Sequence, residues 1–210
     1  ADESFILNGA TYVPLRGLSV ALGATEISWD EKTSTANVTA PGLSISVQIT
    51  NSYMVANGRY LYMEDGCILE DGSTMVPLRL LCKAFGAGLE WKNGAAFITT
   101  GGAPIKSGDT FYNSDDVYWL SRIINAEAGY ESFVGKIAVG NVIMNRVADA
   151  SCPDTVYDVI FDRRYGVQFT PAYSGAIYNT PNSDSVIAAK IALEGTNVCG
   201  DSLYFVAEYV

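Results

Sequence analysis

The sequence predicts an α+β chain in two parts: a tandem β-hairpin/helix/strand repeat module, then a mainly helical domain. Three observations carry this. An internal repeat fills the first hundred residues, a stretch rich in Gly, Pro and small polar residues follows it at 99–109, and beyond that the apolar pattern takes the helical period.

The repeat is direct. Thr11-Tyr-Val-Pro-Leu-Arg16 recurs 63 residues later as Thr74-Met-Val-Pro-Leu-Arg79, and Ala21-Leu-Gly-Ala24 as Ala84-Phe-Gly-Ala87. Ile27-Ser-Trp29 and Leu89-Glu-Trp91 follow with one residue lost between them. Each unit opens on a β-hairpin, because Asn8-Gly9 and Asp71-Gly72 suit the positive φ angles of a tight turn. A helix is expected from Pro14 and from Pro77, since proline is tolerated in a first helical turn. Leu15, Leu18 and Leu22, like Leu78, Leu81 and Phe85, form an apolar stripe, and Gly23 and Gly86 supply the stop. Two strands follow, near 26–29 and 35–39 in the first unit. The units run over about 1–50 and 51–100, within a domain spanning 1–102. Arg16 and Arg79 are expected to satisfy a carbonyl or carboxylate. Trp29 and Trp91 are expected in the core, with stacking on sugars as the alternative.

These motifs resemble the copper amine oxidase N-terminal-like stalk repeat of exported wall proteins. The resemblance implies a module that anchors or spaces, in contact with cell wall or another wall protein. It implies neither copper nor oxidase chemistry, and without histidine a copper site would be hard to build.

Composition narrows the function. With 49% hydrophobic and 17% charged residues the chain can bury a sizeable core. A net charge of −10 makes nucleic acid and anionic membrane surfaces poor partners, while an uncharged glycan is compatible. No apolar run is long enough for a membrane span. The opening Ala-Asp-Glu fits either a processed export product or a trimmed piece of a longer chain. The absence of histidine removes Ser-His-Asp and Cys-His nucleophiles and the common zinc hydrolase sets, so no metal and no cofactor are expected. Acid–base chemistry must then fall to Asp, Glu, Tyr, Lys or Cys. Cys67, Cys82, Cys152 and Cys199 include no C-x-x-C motif, and two fall in each half. Cys67–Cys82 and Cys152–Cys199 are the disulfides expected of an exported protein; the alternative is four buried thiols.

Residues 103–112 read as the linker, with a short strand at Thr110–Tyr112, and 113–210 as the second domain. Its first helix is expected to start at Ser114 as N-cap, with Asp115 and Asp116 complementing the positive helix end. Val117, Leu120, Ile123 and Ile124 form its apolar stripe. Glu127 falls on the same stripe, about 20° from Leu120 at 100° per residue. Burial disfavours an ionised carboxyl and raises its pKa, as a general acid at neutral pH requires. The competing reading lets Glu127 snorkel to water or pair with Arg122 or Arg146. A second helix, started by Ser132 or the glycine near it, runs over about 134–147. In it Asn141, Asn145 and Arg146 are polar, and Asn145 and Arg146 either brace a loop or cap the helix end, or hold Glu127 or a sugar.

Ala126-Glu-Ala-Gly129, Gly135-Lys-Ile-Ala-Val139 and Val142-Ile-Met-Asn-Arg-Val147 resemble the spore cortex-lytic and cell-wall hydrolase family of SleB/CwlJ type. So do Pro153-Asp-Thr-Val-Tyr157, Gln168-Phe-Thr-Pro171, Ala192-Leu-Glu-Gly195 and Ser202-Leu-Tyr-Phe205, in the same order over roughly 115–206. The resemblance implies a lysozyme/lytic-transglycosylase-like fold with a small sheet beside a glycan cleft. It places the single catalytic glutamate at Glu127. It implies cleavage of the N-acetylmuramoyl–N-acetylglucosamine bond of spore cortex or cell wall, by lytic transglycosylation or hydrolysis, in a protein secreted to the cell wall or spore envelope. Family members continue past the Leu-Tyr-Phe segment, so the domain is expected to be shortened at its C-terminus.

Substrate contacts fall to side chains that combine a hydrogen-bonding tip with an apolar face. Gln168 offers both donor and acceptor to an acetamido group. Tyr204, in an expected Leu203–Val206 strand, and Tyr173 offer rings with hydroxyl tips. Phe169, Thr170 and Asn145 complete the candidates. A two-carboxylate scheme would draw its partner from Glu131, Asp149, Asp154, Asp158 or Asp162, none marked by an apolar neighbourhood. The competing function is a non-catalytic peptidoglycan-binding or spore-coat structural protein that keeps the cleft without turnover. Ser185–Gly195 reads as a last amphipathic helix.

Overall fold

The computed structural model describes residues 4–205, which fall into two compact units divided between Phe111 and Tyr112. In the first, the hairpins form where the turn chemistry demands. Asn8 and Gly9 take φ of 46° and 83°, and Asp71 and Gly72 take 47° and 80°, joining β1 (Phe5–Leu7) to β2 (Ala10–Pro14) and β8 (Ile68–Glu70) to β9 (Ser73–Pro77). The two hairpins meet as one antiparallel sheet in the order β1-β2-β9-β8. Its centre pairs Val13 with Val76, flanked by Tyr12–Pro77 and Pro14–Met75. Each flanking pair is the repeat image of the other, so the sequence repeat has become a pseudo-twofold axis between the central strands.

Helices α1 (Leu15–Ala21) and α2 (Leu78–Phe85) follow each hairpin. They begin one residue later than expected. Pro14 and Pro77 are the last strand residues and, in extended conformation, serve as N-caps. Leu15, Leu78, Leu81 and Phe85 are buried, and Leu18 and Leu22 pack on the core edge. Gly86 is the C-cap of α2 at φ 68°, and a Cβ there would lie 1.9 Å from the carbonyl oxygen of Ala103. Left-handed backbone and close chain approach both require glycine at that point.

The repeats then diverge. The second ends in the two-stranded β10 (Gly88–Lys92) and β11 (Ala95–Thr99). In the first, β3 (Glu26–Asp30) and β4 (Thr35–Ala40) extend through β5 (Leu43–Gln48), β6 (Tyr53–Ala56) and β7 (Arg59–Tyr62) as a five-stranded meander. Strands β5 and β6 pair with each other across position 50. The inward side chains Val38, Ile45, Val47, Met54 and Leu61 form the core with both helices.

Residues 103–111 lie against this first unit. Ile105 is buried and its N–H donates to the Ala84 carbonyl, Asn57 Nδ2 donates to the Ile105 carbonyl, and the Arg59 guanidinium stacks on Phe111. The strand expected at Thr110–Tyr112 is instead the end of a short helix, α3 (Gly108–Phe111), nucleated by Ser107.

The second unit is built on α4 (Ser114–Ala128), α5 (Phe133–Ala148) and α8 (Ser183–Leu193), packed pairwise. Asn113, rather than Ser114, caps α4. Its Oδ1 accepts the N–H of Asp115 and Asp116, and Ser132 caps α5 as expected. A Cβ on Gly140 would come within 3.1 Å of both Ala192 and Ile124, so this glycine sets the spacing of the three helices. The last helix is not amphipathic. Ser185, Ala188, Ala189, Ile191 and Ala192 are all buried, since α8 is covered by α4 on one side and α5 on the other. Shorter turns complete the unit: α6 (Val156–Ile160), α7 (Pro171–Ser174) and a 3-10 turn at Ala176–Tyr178.

Among the described residues this unit has no strand, only an isolated bridge between Arg164 and Gly166. The α+β class therefore divides between the units. The expected Leu203–Val206 strand is not formed at 203–205, where the chain is irregular, and Val206 lies outside the described residues. The expected disulfides are absent as well. All four thiols are free. Cys67 is buried and bonds the Gln48 carbonyl, and Cys82 is buried on α2; burial pushes both thiols up.

Candidate active site

Glu127 occupies the last turn of α4, directly before buried Ala128. It is half-buried, and desolvation raises its pKa above the usual 4.5. Neither arginine considered as its partner takes it. Arg122 lies over the Tyr118 ring at 3.8 Å, and Arg146 is engaged elsewhere. No hydrogen bond or ion pair to Glu127 is found among the described residues. A partly desolvated, unpaired carboxyl keeps its proton to higher pH than an exposed one.

The turn that carries Glu127 is held from outside. Asn125 Oδ1 accepts the backbone N–H of Asn182 (3.0 Å) and the Ser185 hydroxyl (3.3 Å), and Asn182 Nδ2 donates to the Gly129 carbonyl. Asn182 is also the N-cap of α8 through Ser185 N–H. One cap therefore fixes the start of α8 and the end of α4 together. The sequence signal for it was Asn182 before Ser-Asp-Ser, an N-cap pattern whose partner lies far away in the chain.

The other carboxylates differ in character. Asp149 and Asp162 sit in partly buried turns and are lowered, by hydrogen bonds from Ser151 and from Arg164 respectively. Asp158 is tied to Thr155 at the start of α6. Asp116, the other raised carboxyl, lies at the opposite end of α4, where desolvation and Asp115 act on it. Among the described residues no group of three His, Cys, Asp or Glu side chains is placed to hold a metal ion.

The remaining candidates divide into two sets. Gln168 and Tyr204 line one cleft with Arg146, Cys152, Asp162 and Leu203; Glu127 is not among its lining residues. Arg146 organises this cleft. It donates to the Leu203 carbonyl (2.7 Å) and to Gln168 Oε1 (3.3 Å), and its guanidinium faces the Tyr204 and Phe169 rings. Tyr204 is 74% exposed, with its ring open to a ligand. Phe169 is buried under Arg146 against Phe205, and so is wall rather than surface.

Asn145 is spent on bracing, donating to the carbonyls of Gly200 and Ser202. With Asn141, which binds Thr196 and Val198, it makes α5 the support of segment 196–204. Tyr173 donates to the Phe161 carbonyl and lies under Arg163. Thr170 is exposed and makes no capping bond. A feature not anticipated is the ring cluster around Trp119, where Tyr118, Tyr157, Phe161 and Tyr178 all meet it edge-on.

Comparison with known proteins follows the same division. Residues 2–100 match the copper amine oxidase N-terminal domain, and residues 130–210 match the cell wall hydrolase family. The second unit is therefore similar to the class of cell wall hydrolases. Within that class its relatives are spore cortex-lytic enzymes: that of Bacillus cereus is 37% identical over 94 residues, covering 45% of this chain and 35% of the relative. That of Oceanobacillus iheyensis is 35% identical over 106 residues, covering 50% and 37%. The crystal structure of the catalytic domain of the Bacillus cereus SleB protein is 38% identical, with a TM-score of 0.41, covering 44% of this chain and 70% of that one. The catalytic domain of the germination-specific lytic transglycosylase SleB of Bacillus anthracis is 36% identical, with a TM-score of 0.41, covering 48% and 77%. The C-terminal part is thus similar to the cell wall hydrolase family, and the chain spans about a third of the length of the curated relatives it matches. The family match begins at residue 130, just after Glu127.

Proposed function

We propose that the chain cleaves the glycan strands of peptidoglycan in spore cortex, with Glu127 as the sole catalytic acid and lytic transglycosylation as the reaction. The single observation that carries this is the half-buried, unpartnered carboxyl at the end of α4, raised by desolvation. Its relatives are named spore cortex-lytic enzymes, and the spore envelope is the corresponding place of action.

Neutral Glu127 protonates the glycosidic oxygen while positive charge builds on the muramoyl ring. The resulting carboxylate then accepts the proton of that sugar's own 6-hydroxyl as the hydroxyl oxygen closes on the anomeric carbon. The ring ends as a 1,6-anhydro product and Glu127 returns to its protonated form. The lowered, locally bonded states of Asp149 and Asp162 favour this one-carboxyl scheme. Tyr204 and Gln168 bind sugar rings in the cleft organised by Arg146.

Product mass spectrometry on cortex and vegetative peptidoglycan, digested side by side, tests this. Anhydromuramoyl ends from cortex are expected. Reducing-end muramic acid would replace transglycosylation by hydrolysis. Free stem peptides with intact glycan, or no release at all, would refute the glycosidase reading.

A further inference from the structure

Trp29 and Trp91, expected in the core, are 43% and 48% exposed. The cause is local. Each pairs across the strand with an alanine, Ala36 or Ala96, too small to cover an indole. Each indole borders a groove, and the two grooves correspond. Leu15, Trp29, Ala36 and Thr74 line the first; their repeat images Leu78, Trp91, Ala96 and Thr11 line the second. Each groove joins both repeats, since Trp29 faces the hairpin of the second repeat and Trp91 that of the first. Duplication has thus kept these four lining positions, with the indole among them, in both grooves, while the rest of each lining differs.

The polar lining differs between them. Ser28, Ser73 and the guanidinium-bearing Arg16 border the first groove, and Ser4 borders the second. Arg16 and its image Arg79 were expected to satisfy a carbonyl or carboxylate. Both are exposed instead, and neither has a hydrogen bond or ion pair among the described residues. A half-open indole beside hydroxyls offers an apolar face to the C–H side of a sugar ring and hydrogen bonds to its edge. Two such sites in one unit suit a ligand that repeats. The chain's net charge of −10 disfavours a polyanion in that role.

We infer that the first unit is a two-site glycan-binding module, its Trp29 and Trp91 grooves each taking a sugar ring of an uncharged polysaccharide, peptidoglycan glycan itself. Attachment at two sites raises retention on an insoluble polymer well beyond either site alone.

The test uses the full chain and insoluble peptidoglycan freed of anionic wall polymers, with binding read by sedimentation in the cold. Trp29→Ala and Trp91→Ala are each expected to weaken binding about tenfold, because one attachment of two is lost. The double variant should fall to the level set by the second unit alone. Trp→Phe at both positions should restore most of the binding, and Trp→Leu, which keeps apolar volume without a ring, should not. The Phe and Leu pair keeps the test readable if the alanine variants unfold. Turnover of short soluble glycan fragments should stay unchanged in all variants, so loss of binding is separable from any failure of the catalytic reading. Undiminished binding by the double Leu variant, or binding that appears only when the anionic polymers are retained, would overturn the inference.

Discussion

Two charged side chains on neighbouring helices of the second unit divide its labour. Arg146 on α5 is 8% exposed, and its guanidinium is committed to the Leu203 carbonyl, Gln168 and two aromatic rings. Glu127 on α4 is only half-buried, yet nothing among the described residues bonds it. Burial with full satisfaction makes a brace, because every donor lost would leave a carbonyl stranded. Partial burial without satisfaction is what the proposed acid requires, because its ionised form is held at a disadvantage. Sequence patterning alone placed both residues in apolar helices and did not separate these roles.

Replacing each residue should break the comparison in opposite ways. Glu127→Gln should lower glycan cleavage by about 10³-fold, the scale of a lost general acid, and leave thermal stability intact. Arg146→Ala should destabilise the second unit by about 3 kcal/mol, as measured by chemical denaturation, because charged hydrogen bonds are lost and their acceptors stay buried. Equal loss of stability in the two variants would erase the distinction.

Two smaller effects sharpen it. Asn182→Ala removes the cap of α8 and the bond to Gly129, and should cost about 1 kcal/mol. It should also reduce kcat more than it raises KM, since the turn carrying Glu127 loosens. The smallest effect is on pH dependence. Glu127 has a raised folded-state pKa, so its contribution to stability is fully present below the ordinary carboxyl range and lost as pH rises through the folded value. Unaltered protein should therefore melt slightly lower at pH 8 than Glu127→Gln protein, and the two should converge near pH 4. Cleavage should fall along the same alkaline limb.

Much of the fold was legible because its signals are local. Asn-Gly and Asp-Gly turns, the proline-led helices and the Ser132 cap each depend on a few adjacent residues. What escaped depended on partners distant in sequence. The indoles Trp29 and Trp91 look like core by composition, and only the register against Ala36 and Ala96 exposes them. Asn145 looks like a ligand-binding amide until the chain from Gly200 to Ser202 returns to occupy it. Evenly divided cysteines suggested disulfides, but spacing carries no distance, and the thiols stay apart. Glu127 was legible because helical periodicity alone puts it beside Leu120, Ile123 and Ile124. Its freedom from Arg122 and Arg146 was not, since that depends on where those guanidinium groups found other partners.

The most direct test of the central claim is release of soluble fragments from purified spore cortex by the unaltered and the Glu127→Gln protein, with sedimentation of the insoluble cortex followed in parallel. A single-acid glycosidase predicts that the variant still binds cortex and releases nothing, while the unaltered protein releases fragments with anhydromuramoyl ends. Fragment release by Glu127→Gln at the unaltered rate would contradict it.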